Sequence, residues 1–384
     1  MCSSDLIRVI QNLNEIEPAA WNRLQGTDNP FLRHEFLHAF ETHRCIHPGN
    51  GWQPFHLLLE DGGRILAAAP AYLKGHSWGE FVFDFSWADA HAQRGPPYYP
   101  KLIFGVPYSP ATGPRVLSAP ELSTATAAAA LADAARQLLS EHALSSAHWL
   151  FPTAEQARLL AESGYMLRHG CQFHWENRGY RDFDDFLAAL SAKKRKNLRQ
   201  ERRRVREAGI EFEWLHGTDA SSTDWLTFER FYRDTFLAYG NVPILNASFF
   251  QDVGRHLGDR VLLVLARQRG RTVAGALFLR SSDTLYGRYW GSSIALSGLH
   301  FETCYYQGIE YCIRHGLQRF EPGAQGEHKV ARGFLPSRTY SAHWIKDPQL
   351  QRVIAAFLQR EKPQVAAYME YMSRQSPFRQ APDT

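Results

Sequence analysis

The sequence predicts an α+β protein of two similar domains in tandem, each a mixed, mainly antiparallel sheet flanked by helices. Three observations point there. First, a ten-residue stretch occurs twice. Gly63-Arg64-Ile65-Leu66-Ala67-Ala68-Ala69-Pro70-Ala71-Tyr72 aligns without a gap on Gly270-Arg271-Thr272-Val273-Ala274-Gly275-Ala276-Leu277-Phe278-Leu279, with four of ten positions identical. Second, each copy follows an apolar, strand-sized run (55–60 and 261–267) across a glycine-bearing turn, the chemistry of a hairpin. Third, the order hairpin, strand, helix, strand is legible in both halves, which suits two α+β units better than one large sheet.

The elements follow in order. In the first half, the turn Asp61-Gly62-Gly63 joins the hairpin strands, and 80–85 alternates as a third strand. A segment rich in Pro and Gly (94–115) has no counterpart in the second half. The alanine-rich helix 121–141 leads to a short strand at 148–151, stopped by Pro152. In the second half, Arg269-Gly270 is the turn, 284–290 the third strand, about 300–315 the helix, and 319–321 the last strand before Pro322.

Between the halves, a helix starts in 182–190, with Asp184 or Asp185 near its N-terminus, and continues through 191–206. Nine of the fourteen residues from 193 to 206 are Lys or Arg. Leu187, Leu190, Leu198 and Val205 share one side at ~100° per residue, so a narrow face can pack. Gly209 suits a C-terminal stop. A further helix spans 224–237, and the tail from Leu350 has helical spacing interrupted by Pro363, with a polar end after Ser373. The expected domains are 1–178, 179–346 (with the basic helix at 185–208) and a C-terminal helix and tail at 347–384.

Apolar residues are 44 % and charged residues 21 %, which excludes wholesale disorder. The net charge of +4 is too small to name a partner by itself. Five cysteines (Cys2, Cys45, Cys171, Cys304 and Cys312) are odd in number and lack a C-x-x-C spacing, which argues against a disulfide framework or cysteine-bound zinc. No apolar run approaches the ~18–20 residues of a membrane span. Asp5 and Arg8 precede no apolar core of a signal peptide. The expectation is a cytoplasmic protein without integral membrane association, in which the sequon Asn246-Ala247-Ser248 has no role. No P-loop, dinucleotide fingerprint, G-x-S-x-G elbow or EF-hand loop is present.

Several separated motifs fall in one order. They are the helix Lys193-Lys194-Arg195-Lys196-Asn197-Leu198-Arg199, the run Tyr286-Gly287-Arg288-Tyr289-Trp290-Gly291, the helix Tyr305-Tyr306-Gln307-Gly308-Ile309-Glu310-Tyr311-Cys312, and Phe320-Glu321-Pro322-Gly323-Ala324-Gln325-Gly326-Glu327-His328-Lys329. With Asn29-Pro30-Phe31-Leu32-Arg33-His34-Glu35-Phe36-Leu37 near the start, this set resembles the FemAB-like branch of the GNAT acyltransferase superfamily, and more closely bacterial FemAB-like acyltransferases of unassigned substrate. The resemblance covers roughly residues 29–346. It implies two fused GNAT-like domains and an N-acyltransferase with no permanently bound cofactor. The co-substrate would be aminoacyl-tRNA, slightly favoured, or acyl-CoA. The acceptor would be an amine on a small molecule, a peptide or a peptidoglycan precursor, and tRNA would be a partner if it carries the donor.

Such transfer needs a base for the amine, N–H donors for the oxyanion and cationic partners for donor phosphates. The strand 284–290 and the strand ending at Glu321 are the expected splayed pair, with Gly287 and Gly291 allowing close backbone approach. In the loop 323–329, Glu327 or His328 is the candidate base, and Glu321 is a further acid. Lys329 or Arg332 would neutralise phosphate or carboxylate; Arg288, Tyr289 and Trp290 would contact substrate or donor; Lys193 and Arg195 would meet donor phosphates. Asp84 and Trp87 would line an acceptor pocket between the domains, while His300 and Glu302 favour the helix dipole. The stretch 291–299 lacks the arginine and tight glycine pair of the usual CoA pyrophosphate loop.

Two rivals stand beside this reading. His34-Glu35-Phe36-Leu37-His38 matches the H-E-x-x-H pattern of zinc hydrolases, though no third histidine follows at metzincin spacing. A non-catalytic tandem module binding RNA or a cell-wall precursor also fits the sequence. Oligomeric state is not read from it.

Overall fold

The computed structural model describes residues 6–93, 97–324 and 326–379 of the 384; Cys2, Asp5, Arg94 and Gln325 lie outside the described residues. Dense internal contacts divide the chain into two units, 1–171 with 338–368, and 172–337 with 369–384. These limits differ from breaks after 178 and 346, because residues 341–345 form a ladder with 146–150 in the first unit.

In chain order the first unit contributes β1 (Leu6–Ile10), β2 (Trp52–Pro54), β3 (His56–Asp61), β4 (Arg64–Ala69), β5 (Ala71–Lys74), β6 (Lys101–Phe104), β7 (Leu117–Ser118) and β8 (Ser146–Leu150). The strand β9 (Met166–Glu176) runs from one unit's residues into the other's. The second unit contributes β10 (Ile210–His216), β11 (Val261–Gln268), β12 (Arg271–Arg280), β13 (Thr284–Ser292) and β14 (Arg319–Glu321), and β15 (Leu335–Ile345) returns to the first. The α-helices are α1 (Pro18–Asn22), α2 (His34–Thr42), α3 (Phe85–Ala92), α4 (Thr124–Glu141), α5 (Ala154–Glu162), α6 (Phe183–Ala189), α7 (Ala192–Glu207), α8 (Ser222–Ala238), α9 (Ala247–Leu257), α10 (Leu299–Phe301), α11 (Gln307–Arg314) and α12 (Pro348–Arg374).

Within the first unit, β3 and β4 form the expected hairpin, with Gly62 and Gly63 at φ of +55° and +78° in its two-residue turn. Pro70 then ends β4, and the chain passes from the sheet β1-β3-β4-β7 to β5, which pairs with β2 and β6. The strand β6 runs parallel to β8, and β8 is antiparallel to β15. Ser123 caps α4 by accepting from the Thr126 N–H. Its small residues Ala127, Ala128, Ala132 and Ala135 are buried and let the helix lie close to the sheet, with Leu131 and Leu138 filling between.

The expected third strand at 80–85 is a loop leading into α3, and the strand that takes its place is β6, inside the segment read as an insertion. The alternation is real but inverted. Glu80 and Asp84 point inward to the buried amine of Lys101, while Phe81, Phe83 and Phe85 are exposed. A period-two pattern says which residues share a side, not which side the core takes.

The second unit is an antiparallel run β10-β11-β12-β13, extended by β14 parallel to β13 and by the end of β9 antiparallel to β14. The β11–β12 turn holds Arg269 at φ +49° and Gly270 at +73°, as its twin does with glycines. The basic segment is two helices rather than one. Leu190 is extended and Ser191 begins α7, while Leu187, Leu190, Leu198 and Val205 are all buried as their spacing requires. Helix α9 went unread in the sequence; Asn246 of the sequon is its N-cap, accepting from the Phe249 N–H. Helix α12 is continuous through Pro363. Its buried stripe Leu350, Ile354 and Leu358 holds the helix in place although proline removes one backbone bond. Between α10 and α11, Glu302–Tyr306 winds as one π-helical turn. Among the described residues, no helix is long and apolar enough to cross a membrane.

Candidate active site

The parallel strand pair of the second unit ends early. Strands β13 and β14 pair through Thr284↔Arg319, Leu285↔Phe320 and Tyr286↔Glu321, and there β14 stops. Pro322 cannot donate to a ladder, so the pairing ends. Strand β13 runs on to Ser292. One residue past the last rung it bulges: Phe278 faces Gly287 and Leu277 faces Tyr289, which leaves Arg288 as the extra residue. A bulge bends the strand and re-aims its backbone groups. Gly287 and Gly291 serve as expected, since a Cβ on Gly287 would stand 3.3 Å from Pro322 Cα and one on Gly291 only 2.2 Å from the Phe231 carbonyl oxygen.

The last rung is polar on one face. Tyr286, Glu321 and His174 lie side by side on β13, β14 and β9, all buried. His174 Nδ1 is 3.9 Å from Glu321 Oε1, and its Nε2 lies 3.1 Å from Gln172 Oε1. Burial, aided by Arg319 and Lys329, pulls the His174 pKa down to about 3, so the ring is neutral. Burial and the neighbouring Glu321 raise the Tyr286 phenol. The matching rung of the first unit is closed. Its parallel pair β6–β8 ends at Phe104↔Trp149, whose rings stack at 3.7 Å and are fully buried.

The loop after β14 is tied back by its own cations. The Lys329 amine donates to the Gly323 carbonyl at 2.8 Å, and burial lowers its pKa to about 8 against the opposing effect of Cys304. Arg332 donates to Glu201 Oε1 at 2.8 Å, to the Tyr306 hydroxyl at 3.2 Å and to the His328 carbonyl at 2.9 Å, with its guanidinium over the Phe301 ring. The Tyr306 hydroxyl also donates to Glu201. Both cations therefore have partners inside the unit. Glu327 and His328 are exposed on this loop, and His328 Nε2 is 3.0 Å from the Tyr305 hydroxyl. Arg288 lies over the Tyr289 ring, Tyr289 packs on Tyr232 and Phe250, and Trp290 packs on His300.

Glu302 stands in the first turn as expected, and it is also an ion-pair partner. It is buried, takes three bonds from Arg202 and a fourth from Gln307, and Arg202 also reaches Glu310. Burial lowers the His300 pKa to about 4, with His328, Lys329 and Arg332 adding to it, so that ring is uncharged. These pairs fix α7 along the π-helical turn. Along them lies a cleft of about 1150 Å³ whose lining includes Arg195, Lys196, Arg199, Arg202, Arg203 and Arg206 together with the carboxylates Asp182, Asp184, Glu302 and Glu310. Lys193 is exposed one turn away and is not among its lining residues.

The structure places the first-unit candidates in an interior network. The Lys101 amine donates to Ser77 (2.7 Å), Glu80 (2.9 Å) and Asp84 (2.5 Å), and the Tyr98 hydroxyl donates to Asp84 at 2.6 Å. Burial works to raise the Asp84 pKa, but Lys101 and His148 carry it down to about 2; Glu80, with burial dominant, rises to about 7. Trp87 is buried in α3 against the His343 ring and α12. In the H-E-x-x-H segment, His34 and His38 do share a helix face, but His34 Nε2 is bonded to the Leu13 carbonyl and Glu35 is held by Arg33 and Asn22. Among the described residues no cluster of three or more His, Cys, Asp or Glu could hold a metal. Cys45, Cys171, Cys304 and Cys312 form no disulfide with one another.

His174, Tyr286, Glu201 and Arg202 went unnoticed in the sequence as site residues. The signal for Tyr286 was its place beside Gly287. His174 is ~150 residues from Glu321 in the chain, and only strand pairing joins them.

Two sheet-and-helix units, the second with a bulged strand beside a parallel pair that ends early, define a tandem GNAT-like α+β fold. The FemAB-like family model, described as peptidoglycan biosynthesis/recognition, matches residues 12–380, and the chain belongs to this family. Among solved structures, FemX aligns at 12 % identity over 91 % of this chain and 100 % of its own, with a TM-score of 0.54. The structure of L-PGS from Bacillus licheniformis aligns at 12 % identity over 89 % of this chain and 94 % of its own, also with a TM-score of 0.54. A tandem GNAT protein from the clavulanic acid biosynthesis pathway aligns at 12 % identity over 89 % and 99 %, with a TM-score of 0.43. No curated protein matches the chain.

Proposed function

We propose that the second unit transfers an acyl or aminoacyl group from an activated donor to an amine. The observation that carries this reading is the last rung Tyr286↔Glu321, beyond which β13 continues paired only with β12, with a bulge at Arg288. A reactive carbonyl set there meets re-aimed backbone N–H groups on one side and a buried carboxylate on the other. Glu321 is thereby the candidate base within the sheet, and Glu327 and His328 remain candidates on the exposed loop. Lys329 and Arg332 hold the loop in shape, with Lys329 close enough to the strand end to meet developing negative charge.

For the donor we favour aminoacyl-tRNA over acyl-CoA. The cleft along α7 is lined by six cations against four carboxylates, an excess of positive charge that a sugar–phosphate chain would neutralise. The stretch 291–299 offers no arginine and no close glycine pair for a pyrophosphate. The family's description directs attention to peptidoglycan precursors as acceptors, and the setting we propose is cytoplasmic. A mass-spectrometric screen of charged tRNA against several CoA thioesters, with amine acceptors present, tests the reading. A product from charged tRNA supports it in full, and one from a thioester alone moves the donor. Binding of either without product favours a non-catalytic module.

A further inference from the structure

The last rung contains a polar atom that the transfer reading has not yet used. His174 Nδ1 is buried and has no hydrogen-bond partner. Its other nitrogen faces Gln172 Oε1, an acceptor, so Nε2 carries the ring proton and Nδ1 presents a lone pair. Glu321 Oε1 stands 3.9 Å from that nitrogen. The separation is too long for a hydrogen bond between the two, and two acceptors facing each other have none to make. It is a span over which one nitrogen carrying two hydrogens can reach both. The site lies at the end of the β13–β14 ladder, beside the bulge.

We infer that His174 Nδ1 and Glu321 Oε1 together form the seat for the acceptor's amino group, with His174 a second residue touching the nucleophile. This rests on the transfer reading for its role and on the rung geometry for its existence. A primary ammonium would donate one N–H to each acceptor. In the transfer step one of those protons passes to the pair. The nitrogen lone pair then forms the N–C bond at the donor carbonyl, whose C–O or C–S bond breaks; the proton already taken by the pair leaves with the departing oxygen or sulfur, and the second proton, shed as the nitrogen becomes an amide, passes through the pair to solvent. A neutral imidazole suits this task, because a charged one would repel an ammonium. Arg319 and Lys329 help burial to keep the ring neutral.

The test needs no knowledge of the natural substrate. Long-range proton–nitrogen spectra of the full-length protein, with His174→Gln used for assignment, report tautomer and charge directly. Between about pH 5 and about pH 8, His174 should remain neutral with its proton on Nε2. Titration with methylammonium chloride, against sodium chloride as control, should move the Nδ1 resonance saturably in the wild type and not in Glu321→Gln. A proton on Nδ1, or a Nδ1 resonance indifferent to methylammonium, overturns the seat. The two readings fail separately. A methylammonium response with no product from any donor removes the transfer reading alone, and a product with the proton on Nδ1 removes the seat alone.

Discussion

Tyr286 and Glu321 face each other across the final rung of a parallel strand pair, and the ladder ends with them. Two local causes act at the same level. Pro322 withholds the N–H that another rung would need, and Arg288 is an extra residue in the neighbouring strand. A related break occurs in the first unit. The sequence repeat aligns Pro70 with Leu277, and the bulge in the second unit falls between Leu277 and Phe278, while in the first unit Pro70 divides β4 from β5. At the same place in the doubled motif a proline divides two strands in one unit, and in the other the strand runs on opposite the bulge of β13.

The close approach of β13 to α8 makes a stability prediction. A methyl at position 291 would overlap the Phe231 carbonyl oxygen, which is backbone and cannot rotate away. Gly291→Ala should cost on the order of 2 kcal/mol or more, by forced strand or helix displacement. Urea denaturation of the two proteins measures it, and an unchanged midpoint would show that α8 gives way freely.

The pair Glu201–Arg332 should behave as one unit. Arg332→Ala leaves Glu201 facing the Tyr306 hydroxyl alone, and should destabilise by about 3 kcal/mol. Glu201→Gln should cost less because an amide can still bond both partners. The double variant should lose less than the sum, as a double-mutant cycle in denaturant would reveal.

The cleft cations should report themselves through salt. Replacing Arg195, Lys196 and Arg199 by Ala should weaken tRNA binding and flatten the slope of log affinity on log salt by ~0.7–0.9 per lost phosphate contact. Lys193→Ala, outside the cleft lining, should change the slope less. Filter binding across a salt series decides this, and equal slopes for all four variants would return α7 to ordinary surface.

On the exposed loop, Glu327→Ala and His328→Ala should lower kcat more than they raise KM if either group handles a proton during transfer. His328→Ala also removes the contact with the Tyr305 hydroxyl. Steady-state kinetics with the donor found by screening separates the two effects. An unaltered kcat in both variants would leave proton handling to the buried rung.

The Lys101 network should give the first unit a pH signature. Burial keeps Glu80 protonated up to about 7 in the fold, against 4.5 for a free glutamate. The folded chain thus holds more protons than the unfolded one between those values, and its stability falls as pH rises through that window. Relative to Glu80→Gln, which does not titrate, the wild type should lose on the order of 1 kcal/mol per pH unit there. Thermal melts of both proteins from pH 4.5 to 7 test the sign; a parallel pair of curves would refute it.

Much of this molecule was written in local patterns. Glycine pairs and a repeated strand gave both hairpins, a prolonged alanine stripe gave α4, and Pro322 marked the end of β14, because each depends on residues within a turn or two of one another. Glu321, Gly287 and the basic helix were visible for the same reason. The remainder depended on what lies opposite in space. Whether Glu80 or Phe81 faced the core was decided by a lysine from β6. Whether the basic stretch was one helix or two depended on Leu190 finding a buried position, and Pro363 was tolerated because an apolar stripe already held its helix. The meeting of His174 with Glu321 was decided by strand order alone, since pairing across a sheet sets distant residues side by side without leaving any mark in the spacing between them.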